Sequence, residues 1–213
     1  MCSFAAIADS SVNGTIRLED SSGDRLPNAG NFVAFIEGND PASSAALAQT
    51  HTTASAPHIS HKDQAFSPRV LVITTGTTVD FKNDDRIYHN AFSLSKSKPF
   101  DLGIYPEGTS KFVTFNEPGL VRVYCNMHPA MISNILVLGN PYFAVTSDDG
   151  QFHIDDLPNG NFTLRIWSEH AEEHSRTLSV TGDQPLVEDF TAIARPQFKQ
   201  HNNKFGKPYR DKY

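Results

Sequence analysis

Three kinds of metal-binding side chain lie within one short stretch of this sequence. Residues 125–131 read C-N-M-H-P-A-M, which places a thiol, an imidazole and a thioether three residues apart at Cys125, His128 and Met131. Sulfur is scarce elsewhere, since the 213 residues include only 2 Cys and 3 Met. Thiolate and thioether ligands select soft metals such as Cu(I), and imidazole also suits Cu(II). The stretch therefore predicts a site for a soft transition metal.

The spacing fits a copper site that takes one further ligand. A type 1 copper site has two imidazoles and a thiolate in a trigonal plane, with a weak axial thioether. Cys125, His128 and Met131 can wrap one ion from a single tight loop, so the second imidazole must come from another strand. His89, in D-D-R-I-Y-H-N, is the natural choice. Zinc would not select methionine. We therefore expect one copper ion per chain, bound by these four residues.

The elements that position these residues are predicted to be strands. Helical periodicity is almost absent, and short β-branched and aromatic runs are bounded by Gly, Pro, Asn and Asp, which is typical of a β-sandwich or barrel. Residues 38–57 are small and polar and predict a linker or long loop, and Asp149-Gly150 predicts a hairpin turn. The expected strands cover 12–18, 32–36, 69–74, 77–82, 88–94, 110–115, 121–125, 132–138, 143–146, 151–154, 162–167, 177–180 and 187–192.

Charge is distributed unevenly along the chain. The net charge is −6, with acidic residues concentrated in 1–57 and 140–195, a nearly neutral middle and a basic tail from Pro196. The sequence lacks the concentrated basic face that would predict nucleic-acid binding. It also has no apolar run of the length, about 18 residues, that a membrane span needs. The profile marks 58–139 as a separate unit and 196–213 as a flexible basic tail.

The N-terminal residues leave three interpretations open. Ala6-Ile7-Ala8 resembles a small-residue cleavage site, so the start could be a clipped or mis-started signal peptide. Cys2 could instead be a lipoprotein cysteine, or the stretch could be an ordinary disordered terminus. With only Cys2 and Cys125 a disulfide framework is not expected. A thiolate copper site with a possible signal remnant favours a bacterial periplasm or outer surface.

The predicted copper residues and one stretch before them resemble a known family. F-S-P-R-V-L-V-I-T-T-G-T-T-V-D-F-K-N, then H-N at 89–90 and Y-C-N-M-H-P-A-M, resemble the plastocyanin- and amicyanin-like cupredoxins, and the last loop has the amicyanin frame C-x-x-H-P-x-M. The resemblance implies a Greek-key β-sandwich and ligation by His89, Cys125, His128 and Met131. It also implies that Asn90 ties the two ligand loops together by hydrogen bonds. Amicyanin-type loops often carry proline at the position of Met127.

The flanks resemble a second family. V-N-G-T-I-R-L-E-D-S-S-G-D-R-L-P-N-A and S-D-D-G-Q-F-H-I-D-D-L-P-N-G-N-F-T-L-R-I-W are similar to carboxypeptidase regulatory-like, transthyretin-like β-sandwiches, whose two halves are normally adjacent. The separation predicts a sandwich built from 10–57 and 140–195 with a cupredoxin domain inserted at 58–139. This layout is similar to the plastocyanin-like bacterial proteins labelled methylamine utilisation proteins.

Three functions follow from these predictions, and enzymatic activity is not among them because protein ligands fill every copper position. The first is a type 1 (blue) copper electron carrier, with His128 as the electron port and Met127, Pro129 and Ala130 as a docking patch. A c-type cytochrome or a dehydrogenase would be the partner by resemblance. The second is copper trafficking or storage at the same site. The third is a binding module whose acidic sandwich docks a cationic partner.

Four further histidines could have roles outside the predicted copper site. His170 and His174 stand four residues apart with acids between them, and on a helix they could share a second metal. His58 and His61 are expected at the surface. In the trafficking hypothesis, all four would serve as loading sites.

Overall fold

The computed structural model describes residues 10–47, 56–195 and 201–208. The interpretations of Cys2 and of Ala6-Ile7-Ala8 concern residues outside these ranges. One short helix accompanies seventeen strands in the described ranges. In chain order the elements are β1 (Ser10–Glu19), β2 (Val33–Gly38), α1 (Pro41–Ala46), β3 (His58–Lys62), β4 (Ala65–Ser67), β5 (Val70–Thr74), β6 (Thr77–Asn83), β7 (His89–Ser93), β8 (Phe100–Tyr105), β9 (Ser110–Phe115), β10 (Gly119–Tyr124), β11 (Ile132–Leu138), β12 (Phe143–Val145), β13 (Gln151–Leu157), β14 (Gly160–Trp167), β15 (His174–Val180), β16 (Leu186–Val187) and β17 (Phe190–Ile193). The predicted all-β class is confirmed.

The described residues form two compact units. The first, called the outer unit, contains 10–47 and 140–195, and the second, called the inserted unit, contains 56–139 together with 201–208. The flexibility predicted for 196–213 stays a prediction, but its residues 201–208 group with the inserted unit. No helix among the described residues has the length and apolarity needed to cross a bilayer.

The outer unit has two sheets around one core. One sheet has the order β13-β1-β16, with β17 also paired to β1, and the other has the order β12-β2-β14-β15. From Phe162 to Trp167, residues alternate between buried and half-buried along β14, as expected for strands that have one face on a core. The core includes Ile16, Phe32, Phe152, Phe162 and Leu164.

The inserted unit also has two sheets, ordered β5-β11-β10-β7-β8 and β4-β3-β6-β9. β11 is buried along its whole length because it pairs with β10 on one side and β5 on the other. The core between the sheets includes Val79, Phe81 and Ile135, and it extends to Cys125 and Met131. The predicted copper residues therefore lie at one end of a packed apolar core.

Several sequence-based expectations were wrong in detail. Residues 38–57 are predicted to be a linker or long loop, but their described part contains α1, where Asp40 accepts a hydrogen bond from the Ser43 N–H at 2.8 Å and Pro41 occupies the first turn. Strands β3, β4 and β8 were not predicted. Asp149-Gly150 lies in a turn, in which the Gly150 N–H donates to the Ser147 carbonyl. The adjoining strands β12 and β13 do not form a hairpin, since they pair with β2 and β1 in different sheets.

Candidate metal centre

The loop 125–131 connects two paired strands and is therefore tightly constrained. β10 and β11 are antiparallel, and Tyr124 lies opposite Ile132 at the end of the ladder. Within the loop, the Cys125 N–H donates to the Met131 carbonyl at 3.3 Å, and the Met131 N–H donates to the His128 carbonyl at 3.0 Å. The loop must therefore reverse direction within a few residues, which brings three of the predicted ligands to one end of the sheet.

His89 reaches the same place from the neighbouring strand. It begins β7, which pairs with β10 through Phe92 opposite Tyr124. Because the two strands are antiparallel, the start of β7 extends past the end of β10 and lies beside the loop. His89 therefore reaches the loop from a separate strand, and its role as a ligand stays a prediction.

The potential ligand atoms converge with spacings that suit one ion. Cys125 Sγ lies 3.9 Å from His89 Nδ1 and 3.6 Å from His128 Nδ1. These three atoms all lie within 4.8 Å of one another, and they form the one group of at least three His, Cys, Asp or Glu ligands found in the described ranges. Bonds of about 2.0–2.3 Å to a central ion, separated by about 120°, would place sulfur and nitrogen about 3.7 Å apart. The two sulfur–nitrogen distances therefore suit ligation of one ion by these three residues.

A carboxylate fixes the orientation of the His89 ring. Asp85 Oδ2 lies 2.9 Å from His89 Nε2, on the opposite side of the ring from the cluster. A carboxylate at this position accepts a hydrogen bond from Nε2–H, which leaves the Nδ1 lone pair directed at the cluster. Asp85 itself is held by the Gln64 and Arg86 N–H groups. Asp85 was not predicted from the sequence, although an acid four residues before a ligand histidine is a signal that could have identified it.

The surroundings favour the thiolate form of Cys125. Burial opposes ionisation of this thiol, but the His89 ring and the backbone at Asn90, Met127 and His128 more than compensate and lower the pKa of Cys125. Burial likewise opposes protonation of His89, yet its contacts with the Cys125 thiol and the Asp85 carboxylate raise the pKa of His89. Burial and the nearby His89 lower the pKa of His128. The thiolate is the form that binds metal.

Met131 is the last residue of the ligand loop. Its side chain is fully buried and belongs to the same core as Cys125. This position suits a thioether that approaches a metal along the axis of a trigonal site. It equally suits an ordinary core side chain, and the two roles predict different mutant behaviour.

Asn90 links the strand of His89 to the loop of Cys125. Its Oδ1 accepts a hydrogen bond from the Asn126 N–H at 3.1 Å. Its Nδ2 donates to Asp101 Oδ1 at 2.8 Å and to the Gly103 carbonyl at 3.0 Å. The Asn90 side chain is buried, two of its bonds go to β8, and the third goes to the loop. The link expected between the two ligand loops is present as a hydrogen bond between these residues.

The outer side of the loop carries the residues predicted to dock a partner. Met127 is 40% exposed, Ala130 is exposed, and Pro129 and His128 are half-buried. An exposed thioether beside a partly accessible imidazole gives this rim an apolar character. Met127 therefore lies at the surface and apart from the buried ligand atoms.

His61 was expected at the surface, and the structure shows that this was wrong. It lies on the unpredicted strand β3 and is completely buried. Its Nε2 lies 3.1 Å from the Tyr105 hydroxyl, and its ring packs edge-on against His89 with centroids 5.7 Å apart. Burial and the nearby His89 lower the pKa of His61 to about 3. His61 is therefore a neutral wall of the site, whereas His58 is exposed as expected.

His170 and His174 do not assemble a second cluster. His174 begins β15 rather than continuing a helix, so the two imidazoles do not have the helical spacing that would place them on one face. Within 10–47, 56–195 and 201–208, no third His, Cys, Asp or Glu joins them to form a metal-ligand group.

Comparison with known proteins gives structural neighbours only. No family model and no curated protein matches this chain. A purple cupredoxin from Nitrosopumilus maritimus is 28% identical over 38% of this chain and 99% of its own, with a TM-score of 0.36. The copper-containing nitrite reductase from Thermus scotoductus is 28% identical over 48% of this chain and 27% of its own, with a TM-score of 0.38. Amicyanin from Paracoccus versutus is 22% identical over 41% of this chain and 85% of its own, with a TM-score of 0.38.

Proposed function

We propose that the chain is a type 1 copper protein that carries single electrons, with one copper bound by His89, Cys125, His128 and Met131. The observation that carries this proposal is the convergence of His89 Nδ1, Cys125 Sγ and His128 Nδ1 from two elements. Copper would supply the one-electron redox change. The ligand set combines a thiolate with two imidazoles and a buried thioether, which accommodates both Cu(I) and Cu(II).

The rigidity of the site supports electron transfer over the alternative of copper trafficking or storage. Cys125, His89 and Met131 are fully buried, and Asp85 and Asn90 fix the elements that carry them. A ligand set held in this way changes little between oxidation states. A trafficking site must instead exchange ligands with a partner, which favours exposed thiols. Only the His128 side of the cluster is partly accessible.

The same arrangement supports a non-enzymatic role. Catalytic metal sites keep an open position for water or substrate, whereas the four proposed ligands would fill the coordination positions here. An assay for nitrite reduction by the copper-loaded chain is therefore expected to show no turnover.

We propose that electrons pass through His128 and that a redox protein docks on Met127, Pro129 and Ala130. Redox encounters use small interfaces, and a half-buried imidazole with an apolar rim suits such a contact. A c-type cytochrome or a dehydrogenase is the partner class we propose, in a bacterial periplasm or outside the cell.

We further propose that the outer unit is a transthyretin-like sandwich that acts as a docking module. Its two sheets around one core support the architecture, and the acidic character of its sequence suits a cationic partner. Association through this unit should weaken as salt rises, because salt screens exposed charges.

The test of the proposed function is reconstitution of the full chain with Cu(II). We expect one equivalent of copper, an intense thiolate-to-copper visible band and narrow copper hyperfine coupling. Cys125→Ser should abolish the band, whereas the same change at Cys2 should leave it intact. A folded, copper-loaded protein that stays colourless would refute the proposal. Met131→Ala separates the two candidate functions, since in a carrier it mainly shifts the potential and in a trafficking protein it mainly weakens Cu(I) retention.

A further inference from the structure

Four residues beside the cluster form a closed ring of hydrogen bonds through their side chains and two backbone N–H groups. Asn90 donates to Asp101 Oδ1 at 2.8 Å and accepts from the Asn126 N–H at 3.1 Å. Lys204 closes the ring with two bonds: its backbone N–H donates to Asn126 Oδ1 at 2.9 Å, and its Nζ donates to Asp101 Oδ2 at 2.7 Å. Each residue in the ring is therefore bonded to two others.

The ring joins four separate parts of the inserted unit. Asn90 follows His89 in β7, Asp101 lies in β8, and Asn126 follows Cys125 in the loop. Lys204 belongs to the segment 201–208, which is outside the strands of either sheet. Lys204 thus contacts two of the residues to which Asn90 is bonded. Its loss would leave Asn90 as the one member of the ring that joins Asp101 to Asn126.

The segment is also anchored on the other side of His128. The His201 N–H donates to the Pro129 carbonyl at 3.4 Å, so the segment bonds to residues on either side of Met127 and His128. The His201 ring is 6% exposed and packs on Tyr124 with centroids 4.4 Å apart. Two contacts that flank the loop restrict its movement more than one contact would.

The segment is ordered by its own hydrogen bonds. The Asn203 N–H donates to the Lys207 carbonyl at 2.8 Å, and Asn203 Oδ1 accepts from the Phe205 and Lys207 N–H groups at 3.0 and 3.1 Å. This compact turn presents the Lys204 backbone and side chain in the same direction. The Lys207 side chain is exposed, in contrast to that of Lys204.

We infer that segment 201–208 is a clamp on the copper loop and that Lys204 is a positioning residue of the metal site. The clamp holds Asn126, and with it the Cys125 end of the loop, in the conformation that the ligand cluster requires. The inference concerns the protein without metal as well as with it. Its consequences for copper rest on the proposed function.

The structure gives the expected size of the effect. The Lys204–Asp101 ion pair is partly exposed, with side-chain exposures of 33% and 38%. Its removal should therefore raise the equilibrium constant for opening of the ring about two- to fivefold. Removal of the backbone bond to Asn126 as well should raise it by about tenfold more. Lys204→Met removes the first bond only, and Lys204→Pro removes both because proline has no N–H.

The experiment measures amide hydrogen exchange at Asn126 in the full, copper-free chain. This amide bonds to Asn90 rather than to Lys204, so it responds to Lys204 only if the ring acts as a unit. We expect about two- to fivefold faster exchange in Lys204→Met, a further increase of about tenfold in Lys204→Pro, and partial recovery in Lys204→Arg, which keeps a cationic donor. Lys207→Met removes the same charge from the same segment and should leave the exchange rate unchanged.

Two results would overturn the clamp. One is an Asn126 exchange rate that stays at the parent value in both Lys204→Met and Lys204→Pro. The other is an equal acceleration by Lys207→Met, which would indicate a general charge effect. A parallel measurement of copper release separates the proposals. If the Lys204 variants alter Asn126 exchange but the chain binds no copper, the clamp is sustained and the electron-carrier proposal is refuted. If the protein is blue but the Lys204 variants leave Asn126 exchange unaltered, the electron-carrier proposal is sustained and the clamp is refuted.

Discussion

Removal of the Asn90 side chain should loosen the inserted unit in a way that can be calculated. Asn90→Ala deletes two hydrogen bonds to neutral groups, Gly103 and Asn126, and one to the Asp101 carboxylate. Net contributions of about 1 kcal/mol for each neutral bond and about 1.5 kcal/mol for the charged one give a loss of roughly 3–4 kcal/mol. Every 1.4 kcal/mol is a factor of ten, so opening of the unit should increase roughly 100- to 1,000-fold.

The assay uses the buried thiol of Cys125. The chain has 1 Trp, Trp167 in the outer unit, so its fluorescence reports on that unit and not on the copper site. Cys125 is fully buried, so a thiol reagent reacts with it only when the inserted unit opens. A Cys2→Ser background removes the other thiol. In that background, Asn90→Ala should accelerate Cys125 labelling by the factor given above.

A matched control comes from the outer unit. Asn140 donates to the Ile36 carbonyl at 2.8 Å and accepts from the Tyr142 N–H at 3.0 Å. Asn140→Ala should therefore lower the stability reported by Trp167 and leave Cys125 labelling near the parent rate. If Asn90→Ala labels within about threefold of the parent, water replaces the lost bonds and the ring has no structural role.

Three further outcomes are expected. Met131→Ala should lower the unfolding free energy of the copper-free protein by about 2–5 kcal/mol. In the copper-loaded protein the same change should shift the visible spectrum, because Met131 is a proposed axial ligand. Lost stability without a spectral shift would show that Met131 is a core residue only. Gly14→Ala should destabilise the outer unit by about 1–3 kcal/mol, because the new Cβ would lie 2.1 Å from the Glu188 carbonyl and 2.5 Å from the Phe152 ring; an unchanged Trp167 unfolding midpoint would contradict this, and copper release serves as the unaffected reference. The pKa of His61 is lowered to about 3, so below about pH 6.5 the unfolded state takes up a proton that the folded state does not. The unfolding equilibrium constant should therefore rise up to tenfold per pH unit as the pH falls. Urea denaturation at pH 7 and 5 should show a shallower pH dependence of stability for His61→Gln than for the parent, and equal pH dependences would contradict the burial of a neutral imidazole.

The sequence predicted the parts of the site that local chemistry determines. Cys125, His128 and Met131 stand at fixed spacing in one loop, so their proximity follows from chain connectivity alone. His89 could be proposed because a trigonal site needs a second imidazole and His89 lies in the predicted strand 88–94. Most strands were likewise predictable from alternation and from the Gly, Pro and Asn residues that end them.

The parts that were missed depend on contacts distant in sequence. His61 belongs to β3, whose short H-I-S-H-K pattern has too few apolar residues to indicate a strand before its pairing with β6 is known. Lys204 looked like one of several solvated charges in a basic tail, because nothing local shows that its N–H meets Asn126. The Asp149-Gly150 turn was found, but a turn signal cannot show that the adjoining strands belong to different sheets.

Determination of the copper position in the loaded protein tests the central claim most directly. The account predicts one copper ion about 2.0–2.3 Å from His89 Nδ1, Cys125 Sγ and His128 Nδ1, with the Met131 sulfur as a longer axial contact. Copper bound away from Cys125, for instance at His170 and His174, or a Cys125 sulfur outside bonding distance of the ion, would contradict it.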